Sequence, residues 1–549
     1  MREQHRLGAS LKAAWRALRG SRPSTGGDAA GSWPSIGALT ESAARRFGDR
    51  VAVIDGDVSV TYAQLFEQAR EFAAALVASG VRVGDRVAIW AFNSREWIVA
   101  VLGLWQAGAV LVPVNTRFKG QEAADIIGRA RVKTLVTVTD FLGNDYVAML
   151  TETGVALPDL QTIVVARGRP TAPGVAWDEF LARATPQARD EADRRRAALT
   201  RDDLADILFT SGTTGKPKGV LMTHGRTLGV ATDWVAMTGL RVGDKYLMIN
   251  PYFHMFGLKA GILASLVAGA TMMPEPVLDV ERVLRRVMTE RVTVLPGAPT
   301  LYQSILNHPE RDRYDLSSLR VAVTGAADIP VELIRRIRAE LPFKLIVSGY
   351  GLTEGGTAAS TSPEDDPETI ATTVGRPRPG FSVRIVDPAG ADVPPGEVGE
   401  ILLRGPTVML GYLDDPEATR AVLTDDGWLS TGDLGTMSAD GLLRIVGRLK
   451  DMFVVGGFNA YPAEIESMLL EHPGIAQAAV IGIPDERLGQ VGAAFVVLRT
   501  PGLTPEEIIA WCRGRMANYK VPRVVEILDA LPVNASGKVQ KSALRLSSR

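Results

Sequence analysis

Apolar residues in this chain recur in two rhythms. Over TYAQLFEQAREFAAALVASG (61–80) they return at three- and four-residue intervals, the spacing of one helix face. RVAIW (86–90) and VKTLVTV (132–138) are instead short, β-branched and nearly continuous, as strands covered on both faces are. The longest apolar stretch, WIVAVLGLWQAGAVLVPV (97–114), is interrupted by Gln106, glycines and a proline. It divides into a buried helix followed by a buried strand, and falls short of the about 20 strongly apolar residues that a membrane span needs.

The two rhythms alternate from about residue 36. A second round brings RVTVLPG (291–297), LRVAVTG (319–325) and KLIVSGY (344–350), each after a helix-like segment. Alternation of this kind predicts an α/β multidomain protein with largely parallel sheets. After GRPRPG (375–380) the text turns to short strands and Gly/Pro/Asp turns, as in VRIVDPAGADVPPGEVGEILLRG (383–405), which predicts a compact β module. Another change comes at RIVGRLKDMFVVGGFNAYPAEIE (444–466), beyond which AAVIGIP (478–484) and AAFVVLR (493–499) mix with helical AEIESMLLEH (463–472) and TPEEIIAWCRGRM (504–516). The expected organisation is a flexible N-terminal tail over 1–35, a large domain of α/β layers over 36–448 with the β module at about 376–447, and a small mobile α+β domain over 449–549. The hinge is expected at Lys450.

Composition removes several function classes. Lys and Arg number 61 and Asp and Glu 62, a net charge of −1, so there is no general attraction to nucleic acid or anionic membranes. One cysteine, Cys512, excludes a disulfide framework and fits a cytoplasmic location. The five histidines are not spaced as metal pairs, and His308 and His472 fall in His-Pro turns. The basic N-terminus lacks the apolar core of a signal peptide, and no stable membrane insertion is expected.

Chemistry concentrates in a few short runs. ILFTSGTTGKPKGVLMTH (207–224) supplies hydroxyls, accessible backbone N–H groups and positive charge through Thr210, Ser211, Gly212, Thr213, Thr214, Gly215, Lys216 and Lys218. This inventory suits polyphosphate. It is not a Walker loop, because Pro217 stands where the magnesium-binding hydroxyl would be. Taken alone, a surface turn is the competing account. SGYGLTEGG (348–356) places Tyr350, Thr353 and Glu354 on a glycine-rich turn: a stacking face, a phosphate donor and a lone carboxylate suited to Mg²⁺. GWLSTGDLG (427–435) puts Asp433 in a turn, where a carboxylate accepts ribose hydroxyls.

The ordered set TSGTTGKPKG, PYFHMFG, TGAA, YGLTE, STGD, GRLKD and NASGKVQK resembles the adenylate-forming superfamily of acyl-CoA synthetases, luciferases and peptide-synthetase adenylation domains, over about 36–549. The resemblance implies two half-reactions: a carboxylate attacks the α-phosphate of Mg·ATP, and a thiol then displaces AMP. It implies that Thr210 to Lys218 grip the outer phosphates. Gly325, Ala326 and Ala327 would wall the adenine, with Tyr350 stacking opposite and Gly351 beside it. Thr353 would meet the α-phosphate, Glu354 the metal, and Asp433 and Arg448 the ribose. Lys538 would bridge the substrate carboxylate and α-phosphate, and is a candidate for acetylation. Rotation about Lys450 would bring Gly456, Gly457 and Phe458 over the site for CoA.

No carrier domain follows Lys538, so CoA is the expected acceptor and a separate carrier protein the alternative. A non-catalytic nucleotide-binding relative is a further alternative, disfavoured by retention of Glu354 and Lys538. A homodimer is an open expectation. The acid should be lined by Trp234, Tyr252, Phe253, His254, Gly297, Thr300, Gly325, Gly349 and Gly355. His254 would border the acyl pocket and the CoA tunnel. So many small residues predict room for a bulky or cyclic apolar acid, unless the glycines serve backbone turns alone. INPYFHMFGLKAGILASLVAGAT (249–271) and VTVLPGAPTLYQSILNHP (292–309) resemble actinobacterial CoA ligases for the bicyclic propanoate left after sterol A/B-ring removal. SGYGLTEGGTAAS departs from that subgroup, which keeps medium-chain and aryl acids open.

Overall fold

The computed structural model describes residues 32–210, 217–325, 331–456, 458–499, 501–533 and 539–546. The chain folds as mixed α/β layers. Among the described residues, a nine-stranded sheet runs in the order Arg376–Pro377, Gly356–Ser360, Leu345–Leu352, Val321–Gly325, Val294–Pro296, Lys245–Met248, Thr271–Pro274, Val51–Asp55 and Val58–Thr61. Its middle is parallel, and an antiparallel hairpin closes each side. An eight-stranded sheet runs Gly411–Tyr412, Lys218–Thr223, Leu204–Thr210, Val110–Pro113, Arg86–Trp90, Val132–Val138, Thr162–Arg167 and Val175–Ala176.

The apolar rhythms translate directly. The run at 61–80 becomes the helix Tyr62–Ala78, started by a capping box between Thr61 and Gln64. The longest apolar stretch becomes the helix Arg95–Gln106, buried all round from Glu96 to Gln106, and then the fully buried strand Val110–Pro113. Ser94 caps that helix by accepting from the Trp97 N–H, and Trp105 donates its indole N–H to the Ala205 carbonyl at 2.8 Å. One apolar cluster lies between the two large sheets, and a second covers the other face of the nine-stranded one. Among the described residues, no helix is long and apolar enough to cross a membrane.

Strands Ser382–Val386, Gly399–Arg404, Leu429–Met437 and Leu443–Arg448 form a separate antiparallel sheet. Arg376–Pro377 pairs in the nine-stranded sheet instead, so this β unit begins at Ser382 rather than at 376. The last hundred residues pack the helices Pro462–Leu470 and Pro505–Arg513 on a five-stranded sheet with its own core. Cys512 sits inside that core, and burial raises its thiol pKa to about 11, which makes it an inert packing residue.

Candidate functional site

Strands Leu204–Thr210 and Lys218–Thr223 pair antiparallel, with Thr210 opposite Lys218. Thr210 and Lys218 therefore close the end of a two-stranded stem. Ser211, Gly212, Thr213, Thr214, Gly215 and Lys216 themselves lie outside the described residues. Strand Gly411–Tyr412 pairs along the same stem, placing the Tyr412 ring 5.1 Å from the Lys218 ammonium. Glu354 is in the turn between Leu345–Leu352 and Gly356–Ser360. Its Oε1 accepts from the Thr210 hydroxyl at 3.3 Å and the Tyr412 phenol at 3.2 Å. The Glu354 carbonyl accepts from the Met409 N–H at 2.7 Å, and the Gly355 carbonyl from the Thr407 hydroxyl at 2.7 Å. Burial, then the Glu354 charge, holds the Tyr412 phenol above its ordinary pKa, so it stays a donor. Thr353 is buried beside Glu354 in sequence.

A second polar cluster spans two sheets. Tyr350, on strand Leu345–Leu352, donates its hydroxyl to Asp433 Oδ2 at 2.6 Å. Asp433 Oδ1 meets Arg448 Nε at 3.0 Å, and the two residues are register partners on neighbouring antiparallel strands. Asp433 was expected in a turn; it lies inside the strand Leu429–Met437. The local signal was Gly432, whose φ of +69° breaks the line of the strand without ending it. Burial, then Asp433, pushes the Tyr350 hydroxyl well above its usual pKa. Asp433 is buried, with one oxygen on the Tyr350 hydroxyl and the other on Arg448, while half of the Arg448 side chain is exposed. Gly351 is needed for the hairpin, because a Cβ there would stand 2.5 Å from the Gly356 carbonyl oxygen. Gly325, the last residue of Val321–Gly325, pairs with Gly349 inside Leu345–Leu352, and Ala326 and Ala327 lie outside the described residues.

The expected acyl lining divides. Trp234, on the helix His224–Thr238, packs edge-on to Phe256 at 5.1 Å between ring centroids. Phe253 and His254 are half-buried, and His254 Nδ1 accepts the Phe256 N–H at 3.2 Å, capping the short turn Met255–Gly257. Tyr252 was expected to line the pocket; it is fully buried, with its hydroxyl 3.1 Å from Met248 Sδ and its N–H on Asn93 Oδ1. Thr300 is exposed on the first turn of Pro299–Leu306. The glycines do not leave a common floor. A Cβ at Gly297 would strike Leu301 Cδ2 at 2.4 Å, and one at Gly355 would meet Leu352 at 3.0 Å. At Gly356, where φ is +74°, a Cβ would stand 2.5 Å from the Thr407 hydroxyl oxygen. At these three glycines the Cβ direction is closed by backbone or packing. At Gly349 a Cβ would meet only ordinary contacts, its nearest neighbours standing 3.6–3.9 Å away on Ala359, Met237 and Thr357.

In the last hundred residues, Val533 and Val539 pair across 534–538, and the Gln540 N–H donates to the Pro532 carbonyl at 2.8 Å. Lys538, like Gly457, lies outside the described residues. Gly456 has a φ of +57°, Lys450 is exposed, and Phe458 is 61% exposed with its ring stacked on Tyr519 at 5.0 Å.

Two features escaped the motifs. Tyr412 partners Glu354 from 58 residues away, with only its aromatic character as a signal. A buried ion pair joins Lys259 to Asp206, and the lysine inside the apolar run LKAGILASLVAGA (258–270) was the legible clue.

Comparisons with known proteins place this geometry. The AMP-binding enzyme family model matches residues 40–413, and the AMP-binding enzyme C-terminal domain model matches 464–538. The 3-[(3aS,4S,7aS)-7a-methyl-1,5-dioxo-octahydro-1H-inden-4-yl]propanoyl:CoA ligase of Rhodococcus jostii (strain RHA1) is 50% identical over 92% of this chain and 96% of its own length. The ligase of the same name from Mycobacterium tuberculosis (strain ATCC 25618 / H37Rv) is 48% identical over 93% and 98%. Among solved structures, the anthranilate CoA ligase AuaEII in complex with anthranoyl-AMP matches with a TM-score of 0.84 at 29% identity, covering 93% of this chain and 96% of its own.

Proposed function

The chain belongs to the AMP-binding enzyme family, and on that premise we propose how its residues divide the work. It is an acid–thiol ligase of the acyl-CoA synthetase branch. The substrate proposed is a bulky, cyclic apolar propanoate of the sterol-ring-derived class, which the identity to the two propanoyl:CoA ligases supports. One observation carries the nucleotide reading. Two carboxylates each accept from a hydroxyl: Glu354, in a turn beside the stem that ends at Thr210 and Lys218, and Asp433, which also pairs with Arg448 and lies beside Tyr350.

In this reading Asp433 and Arg448 hold the ribose, and the Tyr350 ring, fixed by its hydroxyl, supports the base. The 210–218 segment takes the outer phosphates. Among the described residues, no three His, Cys, Asp or Glu side chains converge to hold a metal by themselves. Glu354 is instead one half-buried carboxylate, which fits Mg²⁺ held by one protein oxygen together with ATP phosphates. When bound, the ion would supply charge neutralisation on the phosphates. The substrate carboxylate oxygen attacks the α-phosphorus, and the bond to pyrophosphate breaks. The CoA sulfur then attacks the acyl carbon, giving up its proton to solvent, and AMP leaves with the electron pair of the acyl C–O bond of the mixed anhydride. Lys538 would offset the charge shifting between carboxylate and α-phosphate, and the turn at Lys450 would let the last domain exchange Lys538 for the 456–458 segment. Acetylation of Lys538 would remove that charge and switch the first half-reaction off. A cytoplasmic location accords with the need for ATP and CoA.

The test is an acid panel: bicyclic propanoates, medium-chain acids and aryl acids, each with ATP and CoA, read by pyrophosphate exchange and thioester mass. The bicyclic acids should give the highest kcat/KM. A flat exchange signal for every acid would overturn the ligase reading, and preference for an aryl acid would overturn the substrate.

A further inference from the structure

Lys259 and Asp206 are both fully buried, with Nζ 2.9 Å from Oδ1. The other carboxylate oxygen, Oδ2, accepts from the Thr227 hydroxyl at 2.5 Å. No further hydrogen-bond partner of the ammonium is present among the described residues. Desolvating two charges for one contact is weak support for stability, since apolar residues of similar volume commonly replace such pairs without loss. Asp206 also interrupts the buried middle of a strand that pairs parallel with Val110–Pro113 and antiparallel with Lys218–Thr223, where an apolar residue is the ordinary occupant. Such a pair is better explained by what it holds in register.

It holds three elements. Asp206 lies on Leu204–Thr210, the strand that ends at Thr210 roughly 13 Å further on. Thr227 is on the helix His224–Thr238, which carries Trp234. Lys259 is on the π-helical turn Leu258–Leu263, which continues without a break from the short turn capped by His254. A π turn is a rare widening of the helix, frequent at functional sites. The segment before it is fixed independently: Asn93 donates to the Met248 and Asn250 carbonyls at 3.0 Å each, and a Cβ at Gly257 would stand 2.2 Å from the Pro251 carbonyl oxygen. The stem of the phosphate loop and the wall proposed for the acid therefore meet at one carboxylate.

We propose that the Asp206–Lys259 pair is a positioning device for the adenylation step. It sets the distance between the phosphate-gripping stem and the Trp234–His254 wall, so that the carboxylate oxygen and α-phosphorus meet within reacting range. Neither residue touches a substrate. The proposal rests on the ligase reading, and its test is arranged to fail separately from it.

The decisive variant is Asp206→Asn with Lys259→Met, which removes both charges at nearly constant volume. Lys259→Met alone strands a buried carboxylate and serves only as the unstable reference. The double variant should keep its melting temperature while kcat for acid-dependent pyrophosphate exchange falls about 100-fold, the cost of roughly 1 Å of misplacement. KM for ATP and for the acid should each move less than about threefold, because binding to each half of the site is retained. Thioester formation from supplied acyl-adenylate should be unaffected. Wild-type kcat in a stably folded double variant overturns the proposal, and so does an equal loss in both half-reactions. Hydrogen exchange provides a readout without any substrate. Protection of 204–210 and 258–263 should drop together in the double variant while 86–90 stays protected, and unchanged protection at both segments would overturn the coupling even if the wild-type chain activated none of the acids.

Discussion

The proposed nucleotide cluster and the proposed acyl wall are built by different physics. Around Glu354 and Asp433 the contacts are directional: hydroxyls and one guanidinium meet carboxylates at 2.6–3.3 Å, from residues of three sheets. Around Trp234 and Gly349 the contacts are volumetric, an edge-on aromatic pair and a space with its nearest atoms at 3.6–3.9 Å. Directional contacts lose function when one atom is removed. Volumetric ones lose it when atoms are added. The single carboxylate of Asp206 is where the two kinds of construction join.

That contrast can be broken by substitution. The largest effect is expected at Lys538, where Lys538→Ala should slow adenylation about 100- to 1000-fold, as loss of a transition-state donor does. Thioester formation from supplied acyl-adenylate should be largely spared, and equal loss in both steps would argue against two working conformations. Next is Asp433→Ala, which leaves the Tyr350 hydroxyl and Arg448 without their shared acceptor. It should raise KM for ATP about 10- to 100-fold and leave KM for the acid alone. A matching rise for the acid would mean that the two regions are not separable. Gly349→Leu should show the converse, about a tenfold rise in KM for bulky acids with ATP unchanged, since its Cβ fits and its branches occupy the space. Gly355→Ala, pressed against Leu352, should lower stability without changing acid preference.

The smallest effect on turnover at neutral pH is expected at His224, which begins the helix carrying Trp234. Its Nδ1 accepts the Ile36 N–H at 3.3 Å, so the proton of the neutral ring sits on the buried Nε2. Burial lowers its pKa from 6.5 to about 4, against a small opposing pull from Asp203. The unfolded chain therefore binds the proton more readily between those values, and stability falls as pH drops from 6.5 towards 4. The contribution is about 3 kcal/mol when complete. Thermal melts across that range should show the fall in the wild type and a shallower one in His224→Gln. Parallel slopes would remove His224 as the cause.

Much of this was legible in the chain itself. The strands at 86–90 and 132–138, the buried helix and strand within 97–114, and the α/β class follow from apolar period, because burial on one face or two leaves its mark on every neighbouring residue. The polar motifs named the reaction because hydrogen-bonding chemistry demands particular residue types at short spacing. The β-strand setting of Asp433 was less visible, since Gly432 carries a turn-like φ inside a continuing ladder.

What only the tertiary structure decided is which atoms fill which space. A glycine is written the same way whether a Cβ would fit, as at Gly349, or Leu301 closes over it, as at Gly297. Tyr252 and Trp234 both read as lining, yet both are buried in one apolar cluster, because side-chain direction depends on what packs above it. Asp206, Thr227 and Lys259 are scattered over more than fifty residues and become one group only when a strand, a helix and a π turn are folded together. Sequence records the chemistry that local spacing can carry. Volume and long-range charge pairing are properties of the packed chain.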